Sequence, residues 1–133
     1  MSREKVEVVR RHHEAFIRGD REGTLQPLHP EVEFVFRAGL DMPTAHGHAE
    51  LDKAMRQWLG TWRRESYRFE AREYREIGDR VLVRCFEHGL GRESGVEVTR
   101  ELFQVWDVRN GKATRCEVFE EQEEALEAVG LRE

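Results

Sequence analysis

The sequence has few of the features that mark exported or membrane-spanning proteins. It contains two cysteines, Cys85 and Cys116, which lie far apart, so a disulfide framework is not expected and both thiols are predicted to be buried. No apolar run approaches the roughly 20 residues of a membrane-spanning helix. The first residues, MSREKVEVVRR, lack the apolar centre of a signal peptide. These absences predict a soluble protein of the cytoplasm with no membrane partner.

An excess of positive charge is also absent. Lysine and arginine together number 22, against 27 aspartate and glutamate residues, which gives a net charge of −5. Because this balance offers no basic excess to neutralise phosphates, we expect no nucleic-acid partner. A chain of 133 residues is expected to form a single domain, residues 1–133, with one hydrophobic core.

Hydrophobic periodicity predicts helices early in the chain and strands late. Apolar residues recur at helical spacing over 3–18 and 51–62, and a short helix is expected between them after Asp20. Alternation with a period of two predicts a first strand at 31–36 and a meander of strands between 67 and 120. A final helix follows. Segregated helices and strands indicate an α+β fold, in which a strongly curved antiparallel sheet wraps around three N-terminal helices.

The order of these segments resembles the nuclear transport factor 2-like (cystatin-like) superfamily, and within it the SnoaL-like branch. The similar pieces include IRGD at 17–20, LHPEVEF at 28–34, GDRVLV at 78–83, QVWDVRNGK at 104–112 and EALEAVGL at 124–131. The resemblance implies a cone-shaped fold with a pocket at its open end. It also implies a homodimer formed through the convex face of the sheet.

The resemblance also marks positions at which related enzymes carry proton-transfer groups. Polyketide-cyclase-like relatives have a histidine where this chain has Gln104 and a carboxylate where it has Val118, and ketosteroid-isomerase-like relatives have an aspartate at Phe34. None of these three residues transfers protons near neutral pH. We therefore expect neither ketosteroid isomerisation nor polyketide ring closure, and the catalytic residues stay unassigned.

Other candidate sites are weaker. His46-Gly47-His48 with Asp41 resembles half of a metal site, but the segment leads into a helix and no third ligand follows at suitable spacing. No metal and no cofactor are therefore expected. His12 and His13 are adjacent on a helix, so their side chains diverge by about 100° and do not chelate together. Glu33 is interpreted as a surface acid opposite an arginine.

The strand pattern favours a mostly apolar, aromatic pocket with a few polar side chains, which is the usual composition of a small-molecule site. The residues predicted to contact a ligand are Phe34, Phe36, Trp58, Trp62, Tyr67, Arg100, Gln104, Trp106, Val118 and Glu120. The leading hypothesis is a domain that binds a small apolar or aromatic molecule. Two alternatives stay open. One is an isomerase, cyclase or hydrolase of the SnoaL-like type with non-standard catalytic residues, and the other is a protein-interaction module whose cone is filled by side chains.

The long strand at 96–108 is apolar on both sides, which bears on oligomeric state. Leu102 and Trp106 point one way, and Phe103 and Val105 point the other. Since the helices are expected to cover one face only, the second face predicts a partner copy. The residues expected at this two-fold interface are Leu82, Phe86, Phe103, Val105, Arg115 and Glu117. An apolar centre with charges of both signs is typical of self-complementary interfaces. The alternative is a monomer with scattered surface aromatics.

Overall fold

The computed structural model describes residues 3–37, 42–63 and 65–131. The elements in chain order are α1 (Glu4–Ile17), α2 (Arg21–Leu25), β1 (Leu28–Phe36), β2 (Ala45–His46), α3 (Gly47–Leu59), β3 (Arg68–Ile77), β4 (Arg80–Leu90), β5 (Glu97–Arg109), β6 (Lys112–Phe119) and α4 (Gln122–Ala128). This is the predicted order with one addition, the two-residue strand β2. The α+β class is confirmed.

The six strands form one open sheet in the order β2-β1-β6-β5-β4-β3. Strands β3 to β6 make an antiparallel meander, and β2 pairs antiparallel with β1. Strand β1, however, runs parallel to β6, so the prediction of a wholly antiparallel sheet is wrong at this pair. Only strands joined by a tight turn are forced to run antiparallel. The whole segment from α3 to β5 separates β1 from β6, and nothing in the local sequence fixes their relative direction.

Helices α1 and α3 pack against one face of the sheet, which we call the inner face. The core there is built from alternating strand residues and the apolar stripe of α1. Its fully buried members include Val9, Val32, Val81, Val83 and Trp106. Both cysteines are buried and free, and burial raises the pKa of each thiol. Within the described ranges, no helix combines the length and apolarity needed to cross a membrane.

The opposite face of the sheet, which we call the outer face, is partly covered by α4. Its two inward-pointing residues, Ala125 and Leu126, pack in one cluster with strand residues Leu82, Phe103, Val105 and Phe119. The expectation that helices cover only one face is therefore wrong, because the short C-terminal helix folds over the other. Phe103, which is 5% exposed, is therefore already buried within a single chain. Its burial does not by itself require a partner copy.

Candidate functional site

A cavity of about 100 Å³ lies between α1, α3 and the inner face of the sheet. Most of its wall is apolar, and the aromatic rings are the largest part: Phe16, Phe34, Phe36, Trp58, Tyr67 and Phe69. Besides the hydroxyl of Tyr67, four polar or ionisable side chains interrupt this wall, namely His12, His13, Glu87 and Gln104. These four are the candidates for chemistry or recognition, since the apolar wall supplies only shape and desolvation.

Helix α1 supplies both histidines. His12 and His13 are neighbours in sequence, yet both are buried and both line the cavity, with ring centroids 5.4 Å apart. The two side chains diverge by about 100°, yet both rings lie in the cavity wall, because the curved sheet surrounds a broad sector of the helix. The divergence that excludes joint metal binding does not exclude the two rings from the cavity, and their place in the site was not predicted. The signal was available, since His13 falls in the apolar stripe with Val6, Val9 and Phe16.

Gln104 is the centre of a hydrogen-bonded network at the cavity wall. Its side-chain oxygen Oε1 accepts from Trp106 Nε1, at 2.9 Å, and lies 2.8 Å from Nε2 of His13. Because a carbonyl oxygen only accepts, Nε2 of His13 carries the ring proton. Nδ1 of His13 is then the acceptor for the Tyr74 hydroxyl, at 2.9 Å. Burial, reinforced by the neighbouring His12, lowers the pKa of His13 to about 3, so its imidazole is neutral near pH 7.

This network leaves one donor and one acceptor unused at the same end of the cavity. The amide nitrogen of Gln104 donates to no described residue. His12 donates from Nδ1 to the Thr24 carbonyl, at 2.8 Å, so its Nε2 carries a lone pair that no described residue occupies. Burial lowers the pKa of His12 to about 4, which keeps that lone pair free at neutral pH. We call His12 and Gln104 the amide end of the cavity.

Glu87, on β4, forms a second polar feature that we call the carboxylate end. The side chain is 2% exposed, and its Oε2 accepts hydrogen bonds from the Tyr67 hydroxyl, at 2.6 Å, and from Trp58 Nε1, at 3.2 Å. Its Oε1 is buried and has no hydrogen-bond partner among the described residues. Burial and the adjacent Glu87 carboxylate raise the pKa of Tyr67, which keeps the hydroxyl protonated as a donor.

Glu87 was not predicted as a site residue, although the sequence of β4 contains a signal for it. Inward positions along β4 are occupied by Val81, Val83 and Cys85, which are all fully buried, and the next residue of the same parity is Glu87. An acid on the buried side of an otherwise apolar strand is rare unless it is paired or functional. The alternation of β4 therefore singles out this residue.

Six of the residues predicted to bind a ligand line the cavity: Phe34, Phe36, Trp58, Tyr67, Gln104 and Val118. Two others lie behind the wall. The ring of Trp62 is centred 5.6 Å from that of Trp58 and 5.5 Å from that of Tyr67, and the fully buried Trp106 supports Gln104 from below. These positions make Trp62 and Trp106 supports for the lining side chains.

Arg100 and Glu120, the remaining two predicted ligand contacts, lie outside the cavity wall. They form an ion pair with each other at 3.2 Å, and Glu120 is half exposed. The Arg100 guanidinium also lies 5.9 Å from the centre of the Trp58 ring, close to the carboxylate end. Both side chains therefore already have partners within the chain.

The residues predicted at a dimer interface divide into two groups on the outer face. Leu82, Phe103 and Val105 lie in the cluster beneath α4. Phe86 is half-buried, with the guanidinium of Arg72 4.1 Å from its ring centre.

Arg115 and Glu117 hydrogen-bond each other at 3.1 Å. Arg115 also bonds Glu33, at 3.1 Å, and Glu117 accepts from Arg37, at 2.6 Å. Glu33 thus lies on the outer face beside an arginine. The dimer itself stays a prediction.

The proposed half metal site contains no converging ligands where it is described. His48 Nε2 bonds the Leu28 carbonyl at 2.9 Å, and His46 Nε2 lies 3.7 Å from a carboxylate oxygen of Glu31. Asp41 lies outside the described residues. Among the others, no three histidine, cysteine or acidic side chains are grouped as a metal ion would require.

Comparisons with known proteins agree with the geometry. Residues 9–116 match the model of a family described as SnoaL-like domain. Among solved structures, an NTF2-like protein of unknown function from Burkholderia pseudomallei is 27% identical, covers 98% of this chain and 99% of its own, and superposes with a TM-score of 0.79. TerC, co-crystallised with polyporic acid, is 28% identical, with coverage of 95% and 98% and a TM-score of 0.78.

A more distant likeness shows the fold alone. A putative polyketide cyclase from Xanthomonas campestris is 23% identical over 96% of this chain and 98% of its own, with a TM-score of 0.70. No curated protein sequence matches the chain. The family match extends over most of the sequence and the solved neighbours share its sheet and helices, so this chain belongs to the SnoaL-like domain family of NTF2-like proteins.

Proposed function

We propose that this protein binds a small apolar or aromatic molecule in the cavity between α1, α3 and the inner face of the sheet. The observation that carries the proposal is the amide end, where Gln104 offers an unused N–H donor and His12 an unused acceptor. A hydrogen bond contributes about 0.5–1.5 kcal/mol net, so a ligand that bonds both groups gains affinity from them. A molecule with a carbonyl for Gln104 and a hydroxyl for His12 fits.

The size of the site favours a ligand that is partly enclosed. The cavity of about 100 Å³ is smaller than most ligand sites, which typically measure roughly 300–1,000 Å³. The cavity adjoins a second depression beside α3, and the two share the lining residues Met42, Ala54 and Trp58. We infer that the polar group of the ligand enters the cavity while the rest of its body extends past Trp58 into this depression.

The comparison with TerC supports a small organic ligand. That protein was co-crystallised with polyporic acid, and it is 28% identical to this chain over nearly the full length of both. Polyporic acid is therefore a sensible first probe. The identity of the natural ligand is a separate question that a screen addresses.

The test is a thermal-shift screen of a chemically broad library that includes polyporic acid, followed by crystallography of the hits. A ligand that fits raises the melting temperature by mass action. Gln104→Glu is the sharpest variant, because an oxygen still accepts from Trp106 and His13 while the N–H donor is lost. Affinity for a carbonyl-bearing hit should fall about tenfold.

Glu120→Gln, at the surface, is the matched control and should bind as the wild type does. If no compound shifts the melting temperature and none occupies the cavity, the protein is not a small-molecule binder. In that case the filled-cone interaction module becomes the better reading.

A catalytic role is the second candidate, favoured by two ionisable side chains, His12 and Glu87, that line the cavity. Conversion of a bound molecule, lost in His12→Gln or Glu87→Gln, would identify an enzyme, whereas release of unchanged molecule supports binding alone. For ketosteroids and polyketides we still expect no useful turnover. Phe34, Gln104 and Val118 all face the cavity, and each missing proton-transfer group costs about 10²–10⁴-fold in rate.

We further propose a homodimer through the outer face, as the family resemblance implies. Phe86 is the better probe of this interface, because Phe103 is already buried beneath α4. Phe86→Asp should place a charge in the contact and dissociate the dimer without unfolding the domain. Analytical ultracentrifugation decides: a wild-type protein that sediments as a monomer at micromolar concentration contradicts the dimer.

A further inference from the structure

We infer that the ligand of this cavity is an organic cation, with an ammonium group that lies against Glu87 and the aromatic rings of the carboxylate end. The inference rests on the proposed function and narrows it to a class of ligand. It adds a charged group to the neutral contacts at the amide end.

The first argument is the incomplete satisfaction of Glu87. Tyr67 and Trp58 both donate to Oε2, while Oε1, equally buried, receives no hydrogen bond from any described residue. Carboxylates removed from water are normally paired with a cation or hydrogen-bonded at both oxygens, since the cost of burying the charge is large otherwise. Here two neutral donors hold one oxygen of the carboxylate, and the other, buried oxygen is without a hydrogen-bond partner among the described residues.

The second argument is that Glu87 forms no ion pair with any residue that the structure describes. The imidazoles that share the cavity are neutral near pH 7, because burial lowers the pKa of His12 to about 4 and that of His13 to about 3. Arg100 is the partner of Glu87 in the β4–β5 register, yet its guanidinium bonds Glu120 at the surface. The positive charge is therefore left for a bound molecule to supply.

The third argument is the aromatic surroundings. Beside Glu87, the rings of Phe16 and Tyr67 have centroids 6.3 Å apart, and those of Phe16 and Phe69 are 5.6 Å apart, so they form a continuous wall with Trp58. Ring faces attract cations, and aromatic groups around an anionic side chain are a known solution for binding ammonium groups. A metal ion would instead need several oxygen, nitrogen or sulfur ligands, and the described residues group no such set here.

The experiment compares two probes of nearly equal shape, benzylamine and benzyl alcohol, by isothermal titration of the wild-type protein at pH 7.5. We expect benzylamine to bind at least about tenfold more tightly, because only the ammonium group interacts with the carboxylate and the rings as a cation. Glu87→Gln keeps the size and an acceptor oxygen but removes the charge, and should reduce the preference to about twofold or less. Glu101→Gln removes a carboxylate on the outer face, where Glu101 pairs with Arg84, and should preserve the full preference.

Equal or tighter binding of benzyl alcohol by the wild type overturns the inference and leaves the proposed function standing. Such a result would mean that Oε1 of Glu87 does not need a cation as its partner. Failure of both probes in a protein that binds only neutral library compounds also overturns it. If no library compound binds at all, the proposed function fails with it. The wild-type comparison decides the matter even if Glu87→Gln does not fold.

Discussion

The two faces of the sheet handle polar groups in different ways. On the outer face, charged side chains satisfy one another: Arg115 bonds Glu33 and Glu117, and Arg84 pairs with Glu101. On the inner face, polar side chains are buried and hydrogen-bonded, and three of them retain a group that no described residue pairs. These are the amide nitrogen of Gln104, Nε2 of His12 and Oε1 of Glu87.

This difference indicates where the function lies. Polar groups that pair with each other at a wet surface are explained by solubility and need no ligand. Polar groups that are buried with an unused donor or acceptor reduce the free energy of unfolding, so they are retained where binding compensates for them. By this criterion we propose that the inner cavity is the functional region, and that the outer face contributes stability and self-association.

The largest effect should follow from charging the covered part of the outer face. Phe103→Asp places a carboxylate under α4, where Phe103 packs with Leu126, and should lower the free energy of unfolding by about 4 kcal/mol or more. Urea unfolding measures this. Arg84→Ala, an exposed cross-strand neighbour of Phe103, is the control and should cost less than about 1 kcal/mol. A Phe103→Asp protein as stable as the wild type would show that α4 does not cover this face.

A somewhat smaller loss is expected at the amide end. Gln104→Leu removes the acceptor of both His13 and Trp106, so two buried donors are left without a partner. The free energy of unfolding should fall by roughly 2–4 kcal/mol. Gln104→Glu retains an acceptor oxygen and should be the milder change in the same urea experiment. Equal losses for both variants would contradict the network.

The buried histidines should make stability depend on pH in a defined direction. The folded-state pKa values of about 4 for His12 and about 3 for His13 lie below the ordinary value of 6.5. The unfolded chain therefore binds protons first as the pH falls, and stability, complete above pH 6.5, declines between about pH 6.5 and pH 3–4. Each histidine should account for roughly 2 kcal/mol between pH 7 and pH 5.

Urea unfolding at both pH values in His12→Gln should show a correspondingly weaker dependence than the wild type. His88→Gln provides the control, since His88 lies on the outer face and its ring bonds the Thr99 hydroxyl at 3.3 Å. If His12→Gln and wild type lose stability in parallel, His12 is not held neutral by burial.

The smallest effect should come from the outer ion pairs. Arg115→Met breaks the contacts to Glu33 and Glu117 but keeps the aliphatic stem, so it should cost less than about 1 kcal/mol and leave ligand affinity unchanged. Calorimetric titration with any confirmed ligand, alongside urea unfolding, tests both parts. A loss of affinity here would mean that the two faces are not independent.

The sequence predicts those features that arise from local patterns. Alternation correctly places Phe34 and Val118 inward, and glycine turns separate the meander strands. The parallel β1–β6 pair and the covering of Phe103 by α4 were not predicted, because both depend on contacts between segments distant in the chain. Periodicity indicates which residues are buried but not which segments of the chain pack against them.

The candidate site was predicted only in outline. The strand residues of the aromatic wall and Gln104 follow from strand parity, whereas Glu87 and the two histidines were not predicted as site residues. Their hydrogen-bond partners come from other elements, as when Tyr67 and Trp58 meet Glu87. Which donors and acceptors stay unused is a property of the folded network, and no spacing in the sequence encodes it directly.

The most direct test of the cavity as a binding site is the ¹⁵N–¹H NMR spectrum of the three tryptophan indoles during titration with polyporic acid or the best library hit. Trp58 Nε1 bonds Glu87 and Trp106 Nε1 bonds Gln104, so their N–H signals report on the two ends of the cavity. We predict that a saturable ligand shifts both signals while amides of the outer strand residues stay in place. Saturable binding that moves only outer-face amides, or a library without any ligand, would contradict the account.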